Sequence, residues 1–183
     1  MMYPIRLGYS TAKERIARLL ENGHHAEALV TTVFTVEKTM RRTLRQLVVS
    51  AGFTSTIADR IIRNLRGLDA VKNNWDIYDP AHRKLTDLLP QTDWKLFKDS
   101  AEMRNKMVHG ERVYDLVVCK QQAETTLNAL DRTKDSFDRE YGYSGWTTTS
   151  KRLKSRLHID PKVQAMVEPP NNSFKPKPLR GSA

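Results

Sequence analysis

The sequence predicts an all-α fold, a bundle of about five to six helices. Apolar residues recur at steps of three and four through most of the first 141 residues, which is the spacing of helices with one buried face. Glycine and proline interrupt this pattern at intervals, as they do between helices. No convincing strand pattern appears, because the one strand-like run, residues 116 to 119 (L-V-V-C), merges into a longer helical stripe.

The first two predicted helices are defined by caps and by an apolar stripe. The first begins near Thr11, with Glu14 three residues later as in a capping box, and Gly23 stops it. The second spans about residues 25 to 50. Its core stripe consists of Leu29, Val33, Val36, Met40, Leu44 and Leu47.

Two shorter helices are predicted in the middle of the chain. The third helix runs from about residue 56 to 65. Asp79 then has the character of a helix cap and Pro80 suits the first helical position, so we expect a short fourth helix through Leu89. Pro90 closes that helix, because proline disfavours a helical conformation in the residue before it.

Two longer helices complete the predicted bundle. Thr92 or Asp93 is expected to cap the fifth helix, and the sixth begins near Asp115 and extends to Tyr141. The fifth helix carries on one face Phe97, Ala101 and Val108. The apolar face of the sixth consists of Leu116, Cys119, Ala123, Leu127, Leu130, Phe137 and Tyr141.

Composition narrows the class of protein. Of the 183 residues 39% are hydrophobic, and the mean hydropathy is −0.60, so we expect a water-soluble protein of the cytoplasm. The sequence has no apolar run near the ~20 residues that span a bilayer, and its start lacks the apolar stretch of a secretory signal. We therefore expect no membrane partner. Cys119 is the one cysteine, which excludes an internal disulfide framework and a cysteine-based zinc site.

Positive charge is concentrated at the end of the chain. The formal net charge is +10, and the last 38 residues hold eight Lys/Arg and two Asp/Glu, a net of +6. We predict a helical domain over residues 1 to 145 and a basic, partly disordered tail over residues 146 to 183, where several prolines oppose a helix. Such a tail either adds salt-dependent affinity for nucleic acid or is a neutral extension.

The strongest functional signal is the segment R-N-K-M-V-H-G, residues 104 to 110. Arg104 falls on the apolar stripe of the fifth helix, where a charge is costly unless it is paired or functional. Asn105 and His109 stand four residues apart and therefore share one helical face. Arginine and histidine held together without metal ligands suit phosphodiester cleavage, in which one group moves protons and the other stabilises negative charge on the phosphate.

This segment resembles the signature of the HEPN superfamily, small all-α proteins marked by arginine, a polar residue, a few further residues and then histidine. Arg104, Asn105 and His109 match the marked positions, and the layout of a long early helix, the motif and a closing helix is similar over residues 10 to 141. The resemblance implies a HEPN-like helical bundle. It also implies a homodimer in which the motifs of two subunits form one composite site.

The resemblance further implies a metal-independent endoribonuclease that needs no cofactor. His109 would transfer a proton at a ribose 2′-hydroxyl, Arg104 would hold the scissile phosphate of the RNA, and Asn105 would orient one of them. The products would be a 2′,3′-cyclic phosphate and a 5′-hydroxyl. Such proteins are often toxins or antiviral-defence effectors, with an antitoxin or a defence-system protein as partner. Related toxins often have a tyrosine where this chain has Glu111, which argues against a nucleotidyltransferase antitoxin.

Other interpretations of the same residues stay open. A HEPN-type module without catalysis would serve as an adaptor or bind nucleotides. In a purely structural interpretation, His109 caps a helix and Arg104 pairs with a carboxylate such as Glu102 or Asp99. Residues 50 to 65 resemble part of a helix-turn-helix, which would indicate a DNA-binding protein. The exposed cations of that segment are Arg60, Arg63 and Arg66.

Two further features have a functional and a structural interpretation. Trp75 and Tyr78 either form a base-stacking platform or anchor a loop to the core, and the second is the commoner role. Charged residues on the second helix form a mixed-charge face, which is usually solvated. They are Glu37, Lys38, Arg41, Arg42 and Arg45.

Overall fold

The computed structural model describes residues 8–146, and in this range the chain forms eight α-helices and no strand. The predicted all-α class is confirmed. The helices are α1 (Tyr9–Glu21), α2 (His25–Ser50), α3 (Ser55–Asn64), α4 (Gly67–Asn73), α5 (Trp75–Tyr78), α6 (Leu85–Leu88), α7 (Gln91–Val108) and α8 (Leu116–Tyr141). None of them combines the length and apolar character that a membrane-spanning segment requires.

Two parallel helices of 26 residues, α2 and α8, form the centre of the bundle. Their first halves meet in an apolar cluster that includes Leu29, Val33 and Cys119. Their second halves meet in a larger cluster that includes Leu44 and Phe137. The two helices therefore run in the same direction, each with one apolar stripe toward the other.

Helix α7 runs antiparallel to this central pair. Near its start, the carboxylate of Asp93 accepts hydrogen bonds of 3.0 and 2.7 Å from Arg132, which lies late in α8. Near its end, the sulfur of Met107 lies 3.9 Å from the sulfur of Cys119, early in α8. The end of α7 therefore lies at the same end of the bundle as the starts of α2 and α8.

Strong local signals predict four helix boundaries correctly. Helix α2 has the predicted bounds, residues 25 to 50. Asp115 caps α8 as expected, because its Oδ1 accepts the N–H of Val117 at 2.7 Å. The predicted end of α8 at Tyr141 is also confirmed, and Gly142 follows it with a φ of +65°.

Three predicted caps are wrong, including Asp79, where no helix begins and which instead follows the end of α5. The capping box at Thr11 is not formed, because α1 begins two residues earlier with Gly8 as its N-cap. Helix α7 likewise begins one residue before Thr92. Asp93 does not cap it, since its buried carboxylate is bound to Arg132. A partner from another helix has replaced the local cap.

The region between α3 and α7 differs most from the prediction. Helices α4 and α5 are missed, and the predicted helix from Asp79 to Leu89 is reduced to α6. Trp75 is fully buried and stacks on Phe137 with ring centroids 5.0 Å apart, while the buried Asp79 accepts the O–H of Tyr141. These long-range contacts determine the local structure, and Trp75 is a core anchor rather than a stacking platform.

The chain after α8 folds back onto α2. Gly145 has a φ of +86°, and a Cβ atom there would lie 2.7 Å from the Cβ of Arg42, so the position requires glycine. Trp146 then donates its Nε1–H to the Oγ1 of Thr39 at 2.8 Å. The rest of the predicted basic tail, residues 147–183, lies outside the described residues.

Candidate functional site

Two of the three motif residues lie at the exposed end of α7. His109 is the C-cap residue, its N–H donates to the carbonyl of Asn105 at 3.0 Å, and Gly110 follows with a φ of +70°. Asn105 and His109 are both exposed and lie about one turn apart. Within residues 8–146 neither side chain has a hydrogen-bond partner, so both remain available to a ligand.

Arg104 lies around the helix from this pair, toward the packed side. Its side chain is 25% exposed, and its NH2 group pairs with the Oε1 of Glu37 on α2 at 2.5 Å. Its Nε atom is buried and has no hydrogen-bond partner among the described residues. An unsatisfied buried N–H costs roughly 1–3 kcal/mol. The guanidinium is therefore held by one carboxylate while part of its donor capacity stays unused.

The ion pair of Arg104 forms across the bundle rather than along α7. Glu102, a candidate partner by sequence, pairs instead with Lys106 at 2.5 Å. Glu37 is the partner, 67 residues away in the chain, although the sequence places it only in a mixed-charge face. Its position beside the core stripe of α2 is the one sequence signal that could have identified it.

The predicted apolar stripe of α7 is correct at its start and wrong at its end. Phe97 is buried, but Val108 is 61% exposed. Met103 and Met107, one turn apart, pack against the start of α2 and α8 in its place. Val108 lies about three turns beyond Phe97 and by spacing shares its face, but it belongs to the last turn of α7, where Met103 and Met107 make the contacts and Val108 is left open to solvent next to His109.

Exposed apolar side chains are concentrated around the motif. Among residues 8–146, seven large hydrophobic side chains are exposed, and five of them lie between Val108 and Val118. A sixth, Phe34, is 61% exposed and lies three residues before Glu37 on α2. These six are Phe34, Val108, Val113, Leu116, Val117 and Val118. We call them the apolar patch; single exposed apolar residues are common, but such a concentration is typical of an interaction surface.

Other candidate sites in the described range carry less chemistry. No group of three or more His, Cys, Asp or Glu side chains in residues 8–146 could hold a metal ion. Cavities of about 470 and 310 Å³ lie beside Lys72 and beside Arg15, and no motif residue lines either of them. Thr54 accepts the N–H of Ile57 at 3.4 Å, so it caps α3 as expected of a helix start.

Comparison with known proteins identifies no relative of this chain. No protein-family model, curated protein or solved structure matches the chain. The residues at the end of α7 and their neighbours on α2 and α8 are therefore the basis for a functional proposal.

Proposed function

We propose that this chain is a HEPN-like, metal-independent endoribonuclease that cleaves RNA as a homodimer. The observation that carries the proposal is a mostly buried arginine, Arg104, paired with Glu37 directly beside the exposed Asn105 and His109. These are the three positions that the HEPN resemblance marks. A purely structural ion pair would explain Arg104 but would give the other two side chains no role.

The three groups suffice for cleavage by the neighbouring ribose hydroxyl. The imidazole of His109 accepts the 2′-hydroxyl proton while the 2′-oxygen forms its bond to phosphorus. The bond from phosphorus to the 5′-oxygen breaks, and the second copy of His109 in the dimer gives that oxygen a proton. Arg104 stabilises the charge on the non-bridging oxygens, and Asn105 orients the imidazole or the phosphate. The products are a 2′,3′-cyclic phosphate and a 5′-hydroxyl.

The pair with Glu37 leaves Arg104 able to bind a phosphate. A guanidinium has five N–H donors in a fixed plane, and the pair uses only its NH2 end. The NH1 group has no hydrogen-bond partner in residues 8–146 and is not buried, so it is the donor that a phosphate can reach; the Nε–H is also unused but is buried. In this proposal Glu37 is a positioning residue, because it fixes the guanidinium without consuming it.

The apolar patch supports a second copy of this chain as the partner. The patch borders His109 and continues onto the start of α8, so covering it with an identical surface would bring two motifs together. Full burial of a valine, leucine or phenylalanine side chain contributes roughly 1.5–3 kcal/mol, so burying the patch of both protomers would offset an association cost of roughly 4–15 kcal/mol. A composite site follows, with Arg104, Asn105 and His109 from each protomer.

A cytoplasmic role as a toxin or antiviral-defence effector is part of the same proposal. It rests on the HEPN resemblance, as does an antitoxin or defence-system protein as partner. Glu111 stands where related toxins carry a modified tyrosine, so we propose a partner that does not act on that position.

The decisive experiment is cleavage of single-stranded RNA by the full-length protein in excess EDTA. We expect cleavage products with 2′,3′-cyclic phosphate ends, and we expect His109→Ala to reduce the rate by a factor of about 10² to 10⁴, the usual contribution of a proton-transfer group. Because His109 is exposed, its removal should leave the unfolding temperature almost unchanged.

His82→Ala is the matched control, since His82 is also an exposed histidine but lies beside Asp79, at the opposite end of the bundle. It should cleave RNA at the wild-type rate. A requirement for a divalent metal, or equal cleavage by His109→Ala, would contradict the catalytic assignment. Binding of RNA without cleavage by the wild type would indicate the adaptor function instead.

A further inference from the structure

Most side chains of the mixed-charge face of α2 have a polar partner within the fold. Three of its five charged side chains have a partner of opposite charge or a pair of carbonyl acceptors. Glu37 pairs with Arg104, Arg45 pairs with Asp59 at 2.6 Å, and Arg41 donates to the carbonyls of Ile62 and Leu65 at 2.9 and 2.6 Å. Lys38 and Arg42 remain, one turn apart on the same face.

Lys38 and Arg42 converge on one aromatic ring and have no carboxylate partner in residues 8–146. The Nζ of Lys38 lies 4.9 Å from the centroid of Trp146, and the guanidinium carbon of Arg42 lies 5.5 Å from it. Burial and the neighbouring Arg42 charge lower the pKa of Lys38. Two cations held together without an anion cost free energy in the empty protein, and that cost is removed when an anion binds.

This arrangement is built into the fold rather than formed by loose surface side chains. Trp146 is fixed by its hydrogen bond to Thr39, and the Tyr9 ring lies 5.4 Å from its own. Arg42 donates to the carbonyl of Gly145 at 3.2 Å, the glycine that the close approach to α2 requires. The cations are therefore pre-organised, which lowers the entropic cost of binding.

We propose that Lys38 and Arg42, beside Trp146, bind a backbone phosphate of the single-stranded RNA that is cleaved at His109. Lys38 is the residue after Glu37, which holds Arg104, and its side chain projects about 100° further around α2, so one RNA strand would have to pass around α2 to contact both groups. Cations interleaved with aromatic rings are typical of surfaces that follow a single-stranded backbone. In the sequence, four Lys/Arg stand between residues 151 and 156, soon after Trp146. The choice of RNA rests on the proposed function, whereas the anion site rests on α2 and Trp146.

The test measures binding of a short labelled single-stranded RNA by fluorescence anisotropy over a range of salt concentrations. The full-length protein carries His109→Ala, so that the RNA stays intact. Adding Lys38→Gln should weaken binding several-fold and reduce the slope of log K against log salt by about 0.7, the value for one lost phosphate contact with a single strand. Lys38→Arg should restore both quantities.

Lys72→Gln is the matched control, because Lys72 also lies over a tryptophan ring, that of Trp94 at 5.8 Å, but shares its cavity with Asp76. It removes the same charge and should change binding little. Equal binding by the Lys38→Gln and Lys72→Gln proteins would overturn the proposed site. An equal loss for an acidic peptide would overturn the assignment to a nucleic-acid phosphate.

The two proposals fail in different ways. If the wild type cleaves RNA in EDTA and Lys38→Gln binds normally, the phosphate site is wrong and the nuclease stands. If Lys38→Gln weakens RNA binding but the wild type never cleaves RNA, the phosphate-binding site is supported and the proposed nuclease activity is wrong.

Discussion

The two ends of α8 carry polar clusters of opposite character. At its C-terminal end, the fully buried Asp79 accepts five hydrogen bonds: two from backbone N–H groups, two from the side chain of Arg83 and one from Tyr141. At its N-terminal end, Arg104 has one partner and an unsatisfied Nε, and His109 stands exposed. A saturated cluster contributes to stability, whereas an unsaturated one keeps binding capacity for a ligand. The motif end is therefore where function is expected, and substitutions at the two ends should have different effects.

The largest effect on activity is expected from a substitution in the apolar patch, which leaves the three motif residues unchanged. Val117→Asp places a charge on the apolar patch, at a side chain that is 70% exposed in the protomer. We expect a folded monomer by light scattering and a cleavage rate at least about 10²-fold lower, because the second proton-transfer group is lost. Ile77→Asp, a change at an exposed residue outside the patch, should remain dimeric and active. A dimeric, active Val117→Asp protein would contradict the composite site.

The next largest effect is expected at the C-terminal end of α8, where a substitution should change the free energy of unfolding but not the cleavage rate. Asp79→Asn removes the charge that Arg83 and Tyr141 stabilise, and we expect the free energy of unfolding to fall by about 3 kcal/mol in denaturant titrations. RNA cleavage below the unfolding transition should be unchanged. Asp69→Asn, which breaks an ion pair of two half-exposed side chains, should cost less than about 1 kcal/mol.

The same substitution also changes the response to acid. Burial raises the pKa of Asp79, but the hydrogen bonds from Arg83 and Tyr141 and the two backbone N–H groups outweigh it and hold the pKa below its usual range. A lowered pKa means that the contribution to stability is complete above about pH 4, the unfolded value, and is lost as the pH falls through the folded pKa. The wild type should lose more stability than Asp79→Asn below that pH. Parallel pH profiles would contradict this role of Asp79.

The smallest effect tests whether the Glu37–Arg104 pair belongs to the function or only to the fold. Glu37→Gln keeps an acceptor for Arg104 but weakens its hold, so we expect kcat to fall by about tenfold, or ~1.4 kcal/mol. Both side chains are about three-quarters buried, so we also expect the free energy of unfolding to fall by roughly 1–3 kcal/mol, and kcat is compared well below the unfolding transition. The shape of the pH profile should not change, because His109 still transfers the proton.

Asp59→Asn is the control for that experiment, since it breaks the other ion pair of α2 and should leave kcat unchanged. An equal loss in both variants would mean that the pair only supports α2. If kcat of Glu37→Gln no longer fell on the acidic or on the basic side of its pH profile, Glu37 itself would be transferring a proton.

Sequence patterns predict those parts of the fold that local forces determine. The bounds of α2 and the Asp115 cap of α8 follow from an uninterrupted apolar stripe and from a side chain that bonds its own helix start. The segment of α4 to α6 could not be predicted in this way, because short helices depend on distant contacts such as Trp75 on Phe137.

The candidate site was predictable only in part for the same reason. The motif and the end of α7 at His109 can be identified in the sequence, and so can the anomaly of a charge on an apolar stripe. The partner of Arg104 cannot, because Glu37 lies 67 residues away and no local spacing connects them. The exposure of Val108 cannot be predicted either, because its spacing places it on the face of Phe97 and only the tertiary packing of Met103 and Met107 leaves it exposed.

The parallel central helices also have a consequence for engineering this protein. From Cys119, next to the motif end, to Tyr141, the rise along α8 is about 33 Å at 1.5 Å per residue. Sites this far apart and without a shared partner usually contribute additively. Substitutions at the Asp79 end should therefore change the melting temperature of the protein without changing the proposed RNA cleavage at the opposite end.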